Sequence, residues 1–279
     1  MRDEAEHDGL GAVGLGGRRG RDAEGVSVTP RKELGQHFLV DENILGVIGR
    51  LAELDPTDVV LEIGPGLGVL TRYLAERVAL VHAVEVDRSL EPHLPRLPNV
   101  RVVFGDALRI DLSELDPPPA KLVSNLPYNV ATPIVVESLT RLRSVERWCV
   151  MVQREVADRF FASPGTKAYG AVSVLVRLAA ERTGFHPISR TVFRPPPNVD
   201  SALVAFRRRE LPEGFADVKR VVEAAFAHRR KTLPNSLELA GLTSRAAAAA
   251  ALERLGRPSA SRAEMLEPEE FVELERLLS

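Results

Sequence analysis

The run Asn125-Leu126-Pro127-Tyr128 holds the residue types needed to make an unreactive aromatic amine accept a carbon electrophile. The exocyclic nitrogen of adenine is a poor nucleophile because its lone pair is delocalised into the ring. An amide oxygen from Asn125 and the backbone carbonyl of Leu126 can accept its two hydrogens. That pulls the nitrogen toward tetrahedral geometry and frees the lone pair for in-line attack on a methyl sulfonium. Pro127 stiffens the turn and keeps both carbonyls aimed. Tyr128 offers a ring on which a flipped base can stack. No strong general base is required, because the proton can leave after transfer, and none lies nearby in sequence. By themselves the four residues also describe a plain Asn-Pro turn with a core tyrosine, so what precedes them decides.

What precedes them is a cofactor pattern. Glu62-Ile63-Gly64-Pro65-Gly66-Leu67-Gly68 follows an apolar run and opens a helical one. Glycine is needed where the backbone turns sharply and approaches a ligand closely. An ordinary tight turn and a dinucleotide site are the competing readings. Three features favour S-adenosylmethionine over NAD. The spacing is G-x-G-x-G rather than G-x-G-x-x-G. No pyrophosphate then has to sit on the helix N-terminus. Two acids, Glu85 and Asp106, also end the next two apolar runs. A carboxylate at Glu85 can bond both ribose hydroxyls, and one at Asp106 can accept from the adenine amine.

The elements that must position these residues follow from periodicity. Asp41 can cap a helix over roughly Glu42 to Leu54, ended by Asp55-Pro56. Short, fully apolar runs at Val59–Ile63, Ala79–Val84, Val100–Phe104, Lys121–Ser124 and Arg147–Val152 read as strands, with Val69–Ala75 helical between the first two. Continuous apolar strands separated by helices predict a parallel sheet covered on both faces. Leu203–Phe206 reads as a last strand. After Glu210 the pattern turns helical, at Asp217–His228, Pro234–Leu239, Ser244–Leu255 and Pro268–Leu278. The expected architecture is therefore α/β, a doubly wound, Rossmann-like sheet over residues 28–210, which the cofactor pattern above makes one of the class I methyltransferase kind. A small all-α domain follows over 211–279. Residues 1–27, rich in Gly, Arg, Asp and Glu without apolar periodicity, read as a disordered tail.

Composition narrows the class. The chain has 279 residues, 44% hydrophobic and 27% charged, which suits a folded protein large enough for two cores. No run of about 18 uncharged apolar residues predicts a membrane span, and no apolar signal core opens the chain. Cys149 is the single cysteine, so no internal disulfide and no Cys/His zinc cluster is expected. These points predict a cytoplasmic protein with no metal. The net charge of −2 hides an asymmetry: residues 185–235 carry ten Arg or Lys against five Asp or Glu, while residues 262–279 carry two against six. A neutral total can thus conceal a basic face. Within it, Arg229, Arg230 and Lys231 form a candidate phosphate-binding patch in a helical turn.

The order Gly35-Gln36-His37-Phe38-Leu39, Glu62–Gly68, Glu85, Asp106 and Asn125–Tyr128 resembles the ribosomal RNA adenine dimethyltransferase family. Phe193-Arg194-Pro195-Pro196-Pro197-Asn198-Val199-Asp200-Ser201 and His228-Arg229-Arg230-Lys231-Thr232-Leu233, with Asn235-Ser236-Leu237, extend the resemblance from about Arg31 to the C-terminus. It implies that His37 and Leu39 close over S-adenosylmethionine, that Gly64 contacts its methionine part, and that Gly66 also belongs to the cofactor site. Glu85 would hold the ribose, Asp106 the adenine, and Asn125 would stand between cofactor and target amine. Phe193 would stack on the target base opposite Tyr128. His37 departs from the family's usual asparagine; a backbone contact would survive that change.

The tetrad with leucine second, and the R-R-K-T-L-x-N-S-L segment, resemble the 16S branch of the family more than the 23S macrolide-resistance branch. The resemblance then implies dimethylation of two adjacent adenosines in the 3′-terminal hairpin loop of 16S rRNA. The partner would be an immature 30S subunit, and nothing requires more than a monomer. The competing readings are a 23S methyltransferase, and an RNA-binding assembly factor in which methylation is secondary.

Overall fold

The computed structural model describes residues 20–21, 27–28, 31 and 34–279. The tail expected over 1–27 lies outside the described residues, apart from a two-residue antiparallel pairing of β1 (Gly20–Arg21) with β2 (Ser27–Val28). Next come β3 (Phe38–Leu39), α1 (Glu42–Leu51), β4 (Val59–Ile63), α2 (Val69–Ala75), β5 (Leu80–Glu85) and β6 (Val100–Phe104). They are followed by β7 (Lys121–Asn125), α3 (Ala131–Arg141), β8 (Arg147–Gln153), α4 (Arg154–Phe160), α5 (Ala171–Ala179), β9 (Ala180–Ile188), β10 (Phe193–Arg194) and β11 (Ser201–Arg208). The chain ends in four helices: α6 (Phe215–Ala227), α7 (Leu233–Leu239), α8 (Arg245–Arg254) and α9 (Pro268–Leu278).

Asp41 caps α1 as expected, accepting from the Asn43 N–H at 2.9 Å. The helix stops three residues short of the expected Leu54, at a left-handed Glu53 with φ 49°. Such a conformation ends helical hydrogen bonding and disfavours continuation.

The main sheet runs β6-β5-β4-β7-β8-β11-β9. Its first five strands are parallel, and the near-continuous apolar runs of β4, β5, β7 and β8 reflect burial on both faces, while β6 at the edge is half-buried. The wholly parallel sheet expected from the sequence is corrected at one edge. β11 pairs antiparallel with both β8 and β9. β9 was not foreseen because an edge strand half open to solvent needs no apolar run. Its sequence, Ala-Glu-Arg-Thr-Gly-Phe-His-Pro-Ile, is buried only at its ends and carries Pro187, which a central strand would exclude.

The chain lays down β4, β5 and β6 outward in one direction, then returns to place β7 and β8 on the other side of β4. The strand order therefore reverses between β4 and β7. A crevice opens at the carboxyl ends of strands where the order reverses. The Gly loop leaves β4 and Asn125 ends β7, so the topology delivers both to that crevice.

The opposite, amino edge is closed by ion pairs. Lys121 at the start of β7 lies 2.7 Å from Asp58, with both side chains about nine-tenths buried, and also donates to the Glu53 carbonyl. Arg208, at the end of β11, donates to the carbonyls of Val145, Leu139 and Leu142 at 2.7–2.9 Å and lies over the Trp148 ring. It thereby satisfies carbonyls that the end of α3 leaves without helical partners.

The helices after residue 210 share a core with the sheet. Trp148 stacks on Phe206 at 5.3 Å, and in the same core Tyr169, Phe226 and Phe271 form a second run of ring contacts reaching α6 and α9. The alanine run 246–251 lies within α8, where Ala248 and Ala251 pack inward with Leu252 while Ala246, Ala247 and Ala250 face solvent, behind the Ser244 cap. Among the described residues no helix is long and apolar enough to cross a membrane.

Candidate active site

The crevice is walled by the Gly loop, the ends of β4, β5 and β7, and the segment Leu34–Leu39 folded across them. Gly64, Gly66 and Gly68 all adopt positive φ, at 75°, 59° and 72°. A Cβ at Gly64 would stand 3.2 Å from the Pro127 ring, and one at Gly66 would stand 3.0 Å from Phe38. Only glycine supplies both the left-handed turn and the close packing. The covering segment is held by β3 pairing with β10 and by Gln36 donating to Asp87 at 3.0 Å.

Glu85 stands at the end of β5, 4% exposed. Its two oxygens accept from the backbone N–H groups of Gly66 and Asp87, at 3.1 and 2.9 Å. Burial raises its pKa, opposed by those donors. Asp87, which sequence reasoning did not single out, anchors the fold-over segment. Burial raises its pKa, but hydrogen bonds from Ser89 and Gln36 outweigh this and the carboxyl titrates below its ordinary value. Glu62 lies deeper, 1% exposed, with Oε2 unpartnered, and burial pushes its pKa up to about 8. Its only sequence signal was its place at the head of the Gly loop.

The tetrad lines the same crevice. The Asn125 amide is oriented: Nδ2 donates to the His37 carbonyl at 3.0 Å, while Oδ1 is buried without a partner. A buried acceptor left open costs free energy unless something binds there. Leu126 is buried and its N–H is tied to the Met151 carbonyl, fixing the backbone at the second position of the tetrad. The Tyr128 hydroxyl bonds Ser201, a partner the sequence gave no reason to choose. The His37 ring lies against Tyr128 with centroids 5.3 Å apart and planes 32° apart, and its Nδ1 meets the Pro195 carbonyl at 2.8 Å.

Two expected residues stand differently. Phe193 is 1% exposed and meets Tyr128 edge-on, at 82° and 6.5 Å. A base sandwiched between two rings needs them parallel and about 7 Å apart, twice the van der Waals contact distance. The expected sandwich is therefore not set up, and of the two rings it is Tyr128, with His37 against it, that lines the crevice. Asp106 ends β6 as expected but caps its own turn, accepting from the Leu108 N–H at 3.0 Å and pairing with Arg109. It stands beside the crevice rather than among the residues that line it. Leu39 is buried in the covering strand and does line it.

The donor set suits S-adenosylmethionine. The lining carries the carboxyl groups of Glu62 and Glu85 and, among the described residues, no Lys or Arg. A pyrophosphate would meet no cationic side chain there, whereas a cationic sulfonium meets the Glu85 carboxyl and an open amide oxygen. No cluster of metal-ligating side chains is found among the described residues. Cys149 is buried with its thiol pushed up to about 12, which leaves it unreactive.

A second, wider groove opens beside the first. Arg154, Arg159, Lys167, Arg190 and Arg229 line it against Glu155, Asp158 and Asp200. Arg229, Arg230 and Lys231 are exposed on the turn between α6 and α7, where Arg229 donates to the carbonyls of Lys167 and Tyr169.

Residues 28–278 match the family model described as ribosomal RNA adenine dimethylase. The chain is 49% identical over 260 residues to the ribosomal RNA small subunit methyltransferase A of Rubrobacter xylanophilus, covering 91% of this chain and 97% of that one. It is 47% identical over 267 residues to the protein of the same name in Thermobifida fusca, covering 91% and 92%. Among solved structures it resembles the 23S rRNA methyltransferase ErmE, with TM-score 0.60 and 29% identity, over 86% of this chain and 99% of that one. A dimethyladenosine transferase from Plasmodium falciparum shares the fold at TM-score 0.70 and 23% identity, over 85% and 96%.

Proposed function

The chain belongs to the ribosomal RNA adenine dimethylase family, and from that premise we propose that it dimethylates two adjacent adenosines in the 3′-terminal hairpin loop of small-subunit rRNA. The observation that carries this reading is the Asn125 amide, whose nitrogen is taken by the His37 carbonyl and whose buried oxygen is left without a partner on a residue that lines the crevice. Such an oxygen can take one hydrogen of an exocyclic amine, and the Leu126 carbonyl the other. The nitrogen lone pair is then released from the ring, in a site whose geometry is fixed before substrate arrives.

S-adenosylmethionine, when bound, supplies an electrophilic methyl on a sulfonium. Gly64 and Gly66 would pass close to its methionine end, Glu85 would hold the ribose, and Asp106 would reach the adenine from the crevice rim. Leu39 and the His37 backbone would close over it. Tyr128 would stack the flipped base. Once the methyl is on nitrogen the amine becomes cationic and acidic, so its proton can pass to solvent without a dedicated base.

The RNA is held elsewhere. We assign phosphate contacts to Arg229, Arg230 and Lys231 in the helical part, residues 211–279, continued by the basic wall of the neighbouring groove. Contacts of that kind recognise a folded RNA by shape. An immature small subunit presents such a surface, and a single copy in the cytoplasm suffices. The small-subunit target is supported by relatives of that name at 47–49% identity, against 29% for the 23S enzyme. The deciding experiment incubates the protein with labelled S-adenosylmethionine and 30S or 50S particles from unmethylated strains, then maps the label. Dimethyladenosine at adjacent positions of the small-subunit loop is expected. Label confined to the 50S particle would overturn the target.

A further inference from the structure

Tyr128 already carries a ring. The His37 imidazole covers it with centroids 5.3 Å apart and a tilt of 32°, inside the same crevice. No third ring fits between two rings so placed, since each aromatic contact needs about 3.5 Å. A base that stacks on this face must therefore move the imidazole. We propose that the His37 side chain is a placeholder on Tyr128, a positioning residue that the target adenine displaces. The inference rests on the functional reading above, in which the crevice receives a flipped base.

The attachments of His37 are divided in a way that permits this exchange. Its backbone is fixed: the carbonyl accepts from Asn125, and the next two residues pair with β10. Its side chain is held by one hydrogen bond, to the Pro195 carbonyl at 2.8 Å, together with the contact on Tyr128. A carbonyl can only accept, so Nδ1 carries the proton in that bond. Rotation about χ1 breaks both side-chain contacts and leaves the Asn125 amide aimed. An incoming adenine offers Tyr128 a larger ring and offers Asn125 Oδ1 the hydrogen it lacks. The exchange therefore favours a base bearing an exocyclic amine over one without it, and the imidazole keeps the platform covered until such a base arrives.

The test is a steady-state series with undermethylated 30S particles at saturating S-adenosylmethionine. His37→Ala removes the competitor, so KM for particles falls about three- to tenfold, the worth of one aromatic contact. His37→Asn keeps a group able to bond Pro195 but has no ring, and follows alanine should the alanine protein fold poorly. His37→Phe stacks more strongly and raises KM. Particle binding without turnover, measured with S-adenosylhomocysteine present, moves in the same order, and kcat changes less than KM. A KM that rises on ring removal, stays put, or moves the same way in alanine and phenylalanine overturns the placeholder. So does loss of S-adenosylmethionine affinity, by calorimetry, as large as the change in KM. Failure of the unsubstituted protein to methylate the particles at all would instead sink the functional reading.

Discussion

The two edges of one sheet are built on opposite principles. At the amino edge the charges are answered: Lys121 with Asp58, Arg147 with Glu53, and Arg208 with three carbonyls at the end of α3. At the carboxyl edge polar atoms are left open. Of the four buried side-chain polar atoms without partners among the described residues, Glu62 Oε2, Thr71 Oγ1 and Asn125 Oδ1 belong to this side; the fourth is His82 Nδ1. Three glycines there hold left-handed conformations. A buried, unsatisfied group is costly, so its persistence points to something that binds it. The comparison teaches where stability is gathered and where it is given up for chemistry.

The largest test of that contrast is at the paired edge. Lys121→Met leaves Asp58 buried without its cation, and breaking such a pair costs about 3–5 kcal/mol. For a chain of this size that lowers Tm by roughly 10 °C, read by calorimetry, while kcat per folded molecule stays within about twofold. A fall in kcat without loss of Tm would mean the amino edge takes part in the chemistry. The converse substitution is Asn125→Ala. Removing the amide should lower kcat for methyl transfer by about a hundredfold or more. Tm should hold or rise, because a buried open acceptor leaves with it. An unchanged kcat would break the comparison at its centre.

The same contrast explains what could be read in advance. The tetrad, the Gly loop and the strand-end acids were legible because they need fixed residue types at fixed spacing. The four inner parallel strands were legible because burial on both faces demands unbroken apolar runs, and β6 because Val and Phe dominate it even at the edge. β9 was not, because a half-exposed edge strand has no such demand on it. Neither was the pairing of Gln36 with Asp87 or of Tyr128 with Ser201: those side chains meet only after folding, and any nearby hydroxyl or amide could have served. Phe193 was expected to stack on the target base, yet its edge-on burial against Tyr128 depends on β10 pairing with β3, which two-residue strands do not announce.

Glu62 sharpens the comparison through pH. Its carboxyl titrates near 8 in the folded protein, pushed up by burial, against an ordinary value of 4.5. Between those values the folded state holds a proton that the unfolded state has lost, so stability falls as pH rises. The contribution is fully present below about pH 4.5 and gone above about 8. Tm of the unsubstituted protein should therefore decline over that window more steeply than that of Glu62→Gln, whose amide cannot ionise. Parallel curves would show that Glu62 is already charged when folded, and that the carboxyl edge carries less cost than its open oxygen implies.

The smallest effect tests how far the carboxyl edge reaches. The basic groove begins where β8 ends, at Arg154, and runs to Arg229 on the turn after α6. Arg229 is held by two carbonyls, and Arg230 and Lys231 stand exposed beside it. If these side chains meet phosphates, each neutralised charge releases counterions, and the slope of log affinity against log salt carries roughly 0.7–0.9 per contact. Arg230→Ala with Lys231→Ala should flatten that slope by somewhat under two in filter binding to 30S particles. KM for S-adenosylmethionine should stay put, because the cofactor crevice lies outside this turn. An unaltered slope with weakened binding would mean that the turn packs against the RNA by shape rather than by charge. The site would then end at Tyr128 instead of extending across the helical face.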